Sequence, residues 1–201
     1  MKELSLYKIR DLAIASGRGV FTTQQLANLI GKSKAIASVY IARLVAKGLA
    51  KHLLKGRIAF TEDDFAIATQ LVEPSYISLD SALMLNGLAM QVTKRVQCVT
   101  SKNSKVFDSL GIEYHKIPSS LLSGYERHSR GSSYAFVATP EKALVDGLYL
   151  GIYNEERAAE LAGSVLDLNK AIGMLEKFKG KGSIKLKRVI ESLTKKNGMS
   201  L

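Results

Sequence analysis

Apolar residues recur at helical spacing from the start of the chain. Over residues 4–15, Leu4, Leu6, Ile9, Leu12, Ala13 and Ile14 fall mostly three or four apart, and Gly17 and Gly19 end the run. In the following "FTTQQLANLIG", Thr22 is placed to cap a helix, with Gln25 three residues on as its capping-box partner. Phe21, Leu26 and Leu29 give that helix an apolar side, and Gly31 stops it. Ser33 then caps a third helix that runs to about Lys47, with Ala37, Ile41 and Leu44 on one stripe and Gly48 closing it. Two β-prone runs around Lys55-Gly56 in "LAKHLLKGRIAFT" predict a hairpin. The order of elements, three helices and then a hairpin, with a short glycine-containing turn between the second and third helices, predicts a winged helix-turn-helix. A three-helix module used for protein contact shares this pattern.

The pattern changes at "TEDDFAIATQLVEPSY". Glu62, Asp63 and Asp64 suit the first turn of a short helix, where the macrodipole favours acids. Glu73-Pro74 marks a boundary, because proline biases the preceding residue away from helix. Two domains are therefore expected, residues 1–72 and 73–201. In the second, Ser78 is placed to cap a helix with Asp80 in its first turn and Asn86-Gly87 at its end. "QVTKRVQCVT", with Val92, Val96 and Val99, and "GIEYHKIP" predict strands, and "SSLLSGYERHSRGSS" a loop or irregular hairpin. "YAFVATPEKALVDGLYL" predicts a β-run turning into a helix at Thr139-Pro140, with Thr139 as cap and proline at the first helical position. From about Asn154 the chain reads as helices with glycine breaks. The expected fold class is α+β, a winged helix-turn-helix followed by a mixed α/β domain.

Charge sharpens the reading of the first domain. The 201 residues carry a net charge of +11. Residues 1–72 hold 11 basic against 5 acidic residues, a balance of +6. From Leu12 to Thr61 there is no Asp or Glu, while Arg18, Lys32, Lys34, Arg43, Lys47, Lys51, Lys55 and Arg57 fall in that window. Such a one-signed field attracts polyanions and speeds their association. Kept merely for solubility, a basic face would ordinarily mix both signs. The third helix is then the reading helix, entering the major groove. Lys34, Ser38, Tyr40 and Arg43 are its outward candidates, although Tyr40 also suits the core. Arg43 and Lys34 are chemically suited to guanine. Lys51, Lys55 and Arg57 on the wing, and Lys32, Ser33 and Lys47 near the backbone crossing, suit phosphates.

Catalytic chemistry finds no foothold in the sequence. Gly31-Lys32-Ser33 matches the end of a P-loop, but that motif needs a glycine at position 26, where Leu26 stands inside a predicted helix. His52, His115 and His128 lie in separate elements without metal-ligand spacing, and Cys98 is alone in an apolar strand. Glu141 and Asp146 are five apart on one helix and diverge, whereas Lys142 and Asp146 are placed to pair at i,i+4. No enzyme activity, cofactor or metal is expected. No apolar run approaches the roughly 18 residues of a membrane span, and the N-terminus lacks a signal-peptide core, so a cytoplasmic location is expected.

Two segments of the second domain, "PSYISLDSALMLNGL" (74–88) and "YAFVATPEKALVDGLYL" (134–150), resemble the AbiEi family of antitoxins, which belong to type IV toxin–antitoxin (abortive phage infection) systems. The overall plan is similar too, an N-terminal winged helix followed by an antitoxin domain. The resemblance implies a regulator that binds inverted repeats in its own promoter as double-stranded DNA, as a homodimer. It also implies neutralisation of a nucleotidyltransferase-like toxin. The family's motif falls here on Tyr76, Ser78, Ser81, Thr139, Pro140, Glu141, Lys142 and Asp146, residues that also have fold-determining explanations. The alternative is a stand-alone winged-helix regulator, or a protein- or RNA-interaction module, without a toxin partner.

Overall fold

The computed structural model describes residues 4–90, 93–163, 166–176, 178, 180 and 182–196. It is mixed α+β, with two sheets. The chain divides into two compact units: residues 1–73 with 127–135, and residues 74–126 with 136–201. Among the described residues no helix is long and apolar enough to cross a membrane.

In the first unit, α1 (Leu6–Ala15), α2 (Thr23–Ile30) and α3 (Lys34–Ala46) surround a core of Ile9, Ala13, Leu26, Ala27, Ala37 and Leu44, joined by Phe21 and Ile58. The ends of α2 follow from local chemistry. Thr22 Oγ1 accepts from Gln25 N at 3.0 Å while Gln25 Oε1 accepts from Thr22 N at 2.8 Å. Gly31 closes the helix with φ 63°, a left-handed conformation that glycine adopts without steric cost. Two residues later Ser33 Oγ accepts from Ile36 N at 3.3 Å and starts α3. Gly31-Lys32-Ser33 thus joins two helices.

The predicted hairpin is present as β2 (Lys51–Leu54) and β3 (Arg57–Ala59), turning at Lys55-Gly56. The sequence pattern did not indicate a third strand. Residues Val20–Thr22 form β1, antiparallel to β3 with Phe21 opposite Ile58, giving the order β1-β3-β2. Three residues are too few to show an alternating pattern, and β1 exists because β3 supplies its partner. Phe21 therefore enters the core from a strand and not from α2.

Helix α4 (Asp64–Leu71), capped by Asp63 through a 2.7 Å bond from Ala66 N, completes the unit. Its Gln70 is buried and uses its whole side-chain amide. Oε1 accepts from Gly19 N at 2.8 Å and Val20 N at 3.1 Å. Nε2 donates to Ser133 Oγ at 3.0 Å and to the Tyr134 carbonyl at 2.8 Å. Arg130 adds an ion pair to Asp63 at 2.8 Å and lies over the Phe65 ring. A Cβ at Gly19 would come within 2.9 Å of Ser133 Oγ, so only glycine permits this approach.

The second unit is built on a sheet ordered β6-β7-β5-β4-β9-β8. Its strands are β4 (Ser75–Ile77), β5 (Val96–Thr100), β6 (Lys105–Phe107), β7 (Ile112–Lys116), β8 (Tyr125–Arg130) and β9 (Ser133–Ala138). β4 runs antiparallel to β5 and parallel to β9, and β5 runs parallel to β7. Residues 127–135, which comprise the end of β8, the turn and the start of β9, group with the first unit. The expected strand over residues 91–100 begins at Val96, and Val92 lies outside the described residues. The stretch read as a loop or irregular hairpin holds a 3₁₀ turn at Ser119–Leu121 and β8. Helices α5 (Leu79–Leu85), α6 (Pro140–Leu150), α7 (Glu155–Ala162), α8 (Leu168–Glu176) and α9 (Ser183–Lys196) complete the unit. α6 begins as expected, with Pro140 in its first turn and Thr139 Oγ1 accepting from Lys142 N.

Replacing Gln70 with leucine removes four hydrogen bonds at once and should cost roughly 2–4 kcal/mol in urea unfolding of the full chain. Gln70→Glu keeps an acceptor for the two amides but loses the donor, so an intermediate loss is expected. Equal stability of all three proteins would show that the amide is not a structural tie.

Candidate nucleic-acid interface and a buried polar network

α3 is amphipathic in an unusual sense. Ala37, Tyr40 and Leu44 are buried on one side, with Ile41 and Val45 partly buried beside them. At 3.6 residues per turn, Ala35, Val39, Ala42 and Ala46 project opposite that stripe, and all four are exposed. Ser38 flanks this apex on one side, and Ile36, Arg43 and Lys47 flank it on the other; each is exposed. Lys34 and Ser33 are exposed at the helix start, and Lys32 is half-buried.

Tyr40 requires a correction. Expected among the outward residues, it is 6% exposed within the core, and its hydroxyl accepts from Leu4 N at 3.2 Å. A tyrosine hydroxyl that finds a partner can be buried with its ring, and here burial decides the side chain's role. Ser38 is outward, but its hydroxyl donates to the Lys34 carbonyl at 3.0 Å, which commits its proton to the helix. On the hairpin Lys55 is exposed at the turn and Arg57 is half-buried. Lys51 is exposed and meets Glu62 at 3.4 Å, an ion pair that competes with a phosphate. The exposed apolar residues of α3 are the part of this surface that attention to polar side chains passes over. Their signal was present in the sequence, as the positions opposite the core stripe.

In the second unit, the residues that carry the family resemblance converge. Asp146 on α6 accepts from Lys142 Nζ at 2.5 Å, from Tyr76 Oη at 2.9 Å and from Ser78 Oγ at 2.8 Å. Both members of the Lys142–Asp146 pair are fully buried. Burial pushes the Asp146 carboxyl up and the Lys142 ammonium down, and each group's attraction for the other opposes that push. The Tyr76 ring stacks on Tyr125 with centroids 4.6 Å apart, and its phenol is pushed up by burial and by the neighbouring Asp146. Ser78 stands at the N-cap position of α5, yet its side chain does not cap. Its hydroxyl is drawn instead to Asp146, which corrects the local expectation.

The remaining motif residues tie neighbouring segments. Ser81 Oγ bonds Thr93 Oγ1 at 2.8 Å and accepts from Gln97 N at 3.0 Å. Glu141 accepts from Asp167 N and lies 3.3 Å from Lys170 Nζ. Tyr76, Ser78, Ser81, Thr139, Glu141, Lys142 and Asp146 are all buried. They build the unit and present no surface to a partner. Cys98 is buried on β5, and burial pushes its thiol up, away from the reactive thiolate. Among the described residues no three His, Cys, Asp or Glu side chains group as metal ligands.

No protein-family model matches the chain, and no curated protein matches it.

Removing one partner of a buried ion pair leaves the other uncompensated. Asp146→Ala should therefore destabilise the chain by about 3–5 kcal/mol in urea unfolding. Lys51→Ala, at an exposed pair, should change stability by less than about 1 kcal/mol. Comparable effects of the two substitutions would remove the network from its structural role.

Proposed function

We propose that this chain is a sequence-specific DNA-binding regulator whose first unit acts as a winged helix-turn-helix. The observation that carries this reading is the placement of α3. Its buried stripe of Ala37, Tyr40 and Leu44 leaves a full opposite face exposed. That face belongs to a window, Leu12 to Thr61, with eight basic residues and no acid. α3 enters the major groove, where Arg43 is the side chain suited to bidentate contact with guanine. Lys32, Lys34, Lys47, Lys51, Lys55 and Arg57 meet phosphates, and the β2–β3 turn serves as the wing.

The resemblance to AbiEi antitoxins extends the proposal to the second unit. On that reading the chain represses its own operon at promoter inverted repeats as a homodimer and neutralises a nucleotidyltransferase-like toxin without itself catalysing a reaction. The convergence of Tyr76, Ser78, Lys142 and Asp146 on one network supports reading the two resembling segments as a single structural motif. Because these side chains are buried, contact with a toxin falls to other, exposed residues of the unit.

Neutralising about six phosphates gives a slope of log K against log salt of about −5. A flat salt dependence in fluorescence anisotropy with labelled duplex sinks the DNA-binding reading. Arg43→Ala should cost roughly 1–3 kcal/mol at one base pair and relax discrimination there, whereas Lys55→Ala should weaken all sequences about equally. Uniform loss across sequences for both variants would take Arg43 out of base readout. Co-expression of the full chain with the product of the adjacent gene should rescue growth if that product is a toxin, and failure to rescue would leave the regulator alone standing.

A further inference from the structure

The exposed face of α3 is poor in hydrogen-bonding groups. Ala35, Val39, Ala42 and Ala46 form its apex and Ile36 its shoulder, with Val39 52% and Ile36 36% exposed. Ser38 has committed its proton to the Lys34 carbonyl, and no asparagine or glutamine occurs on the helix. Ala35, Ile36, Val39, Ala42 and Ala46 are neighbours on the helix surface, and a contiguous exposed apolar strip with a polar rim marks a binding surface. The rim identifies that partner. Lys32, Lys34, Arg43 and Lys47 border the apolar strip, and no carboxylate occurs between Leu12 and Thr61. A second copy of the chain would bring like charges together on the same strip, which is unfavourable. A polyanion that carries its own apolar groups fits both the rim and the strip.

Duplex DNA has one such group in the major groove, the C5-methyl of thymine, and small aliphatic side chains are its natural contacts. We propose that α3 reads thymine methyl groups through Val39, with Ile36, Ala35 and Ala42 around it, and that its operator is thymine-rich opposite these positions. The inference rests on the DNA-binding reading above and specifies the chemistry of that surface. The three alanines matter as much as the valine. Lacking long side chains, they let the helix axis come close to the groove floor, where a methyl group lies within van der Waals reach. A face of asparagine or glutamine would instead read adenine by hydrogen bonds.

The test begins with selection of bound duplexes from a randomised library by the full chain. The enriched site is then remade with deoxyuridine for each thymidine in turn, which removes only the methyl group. The expected result is a loss of roughly three- to fourfold in affinity for each methyl buried by the helix. In Val39→Ser that penalty should disappear at one of the thymines, and the half-exposed position makes this variant one that folds. Equal affinity for the thymidine and deoxyuridine duplexes overturns the proposal while leaving DNA binding intact. So does a penalty that persists unchanged in both Val39→Ser and Ile36→Ser, since it would then report DNA shape. A concentration-dependent doubling of mass that Val39→Ser abolishes, with no sensitivity to deoxyuridine, would assign the strip to a second copy. Absence of salt-dependent binding to any duplex would defeat the DNA-binding reading itself, and this inference with it.

Discussion

Three segments of the first unit, α4, residues 19–20 and residues 133–134, meet at the side-chain amide of Gln70. A buried amide is costly unless both of its ends are satisfied, and here two donors and two acceptors are brought to it from distant parts of the chain. That requirement fixes where β1 starts. β1 in turn gives β3 its second partner, and β3 carries Ile58 into the core that receives α1, α2 and α3. The three-stranded sheet, and the Ile58 that it brings to the core shared with α3, are tied to this one polar group.

Within that core, α3 has little freedom. Tyr40 and Leu44 are large enough to fix its rotation about its own axis, and the bond from Leu4 N ties the Tyr40 hydroxyl to the N-terminal segment. Once these face inward, the opposite residues must face water, whatever their chemistry. The outward residues are therefore a choice the packing does not dictate. Small aliphatic side chains rimmed by lysine and arginine are a poor choice for a merely solvated surface, and a good one for a surface proposed to enter the wide, methyl-bearing major groove of a polyanion.

What could be read in the sequence, and what could not, divides along the reach of the interactions. Caps are local: Thr22 with Gln25, Ser33, Asp63 or its acidic neighbours, and Thr139 with Pro140 mark helix starts within four residues of themselves. The β2–β3 turn was equally legible from Lys55-Gly56. The three-residue strands β1, β4 and β6 were not: too few positions exist to alternate, and for β1 and β4 the pairing partners are also remote in sequence. Ser78 looked like a cap until a remote carboxylate offered its hydroxyl a better partner. Tyr40 fitted either side of its helix by type, and only the neighbouring elements determine which. The i,i+4 spacing of Lys142 and Asp146 showed that they pair, yet their burial depends on Tyr76 and Ser78 arriving from another part of the chain.

On the reading proposed above, α3 with the β2–β3 turn is the surface that meets DNA. Amide chemical shifts of the full chain, followed by NMR during titration with duplex DNA, test it residue by residue. The largest changes should fall on the outward positions between Lys34 and Lys47 and on residues 51–57, with the second unit little affected. Changes confined to residues 74–126 and 136–201, or no changes with a duplex of any sequence, would contradict it.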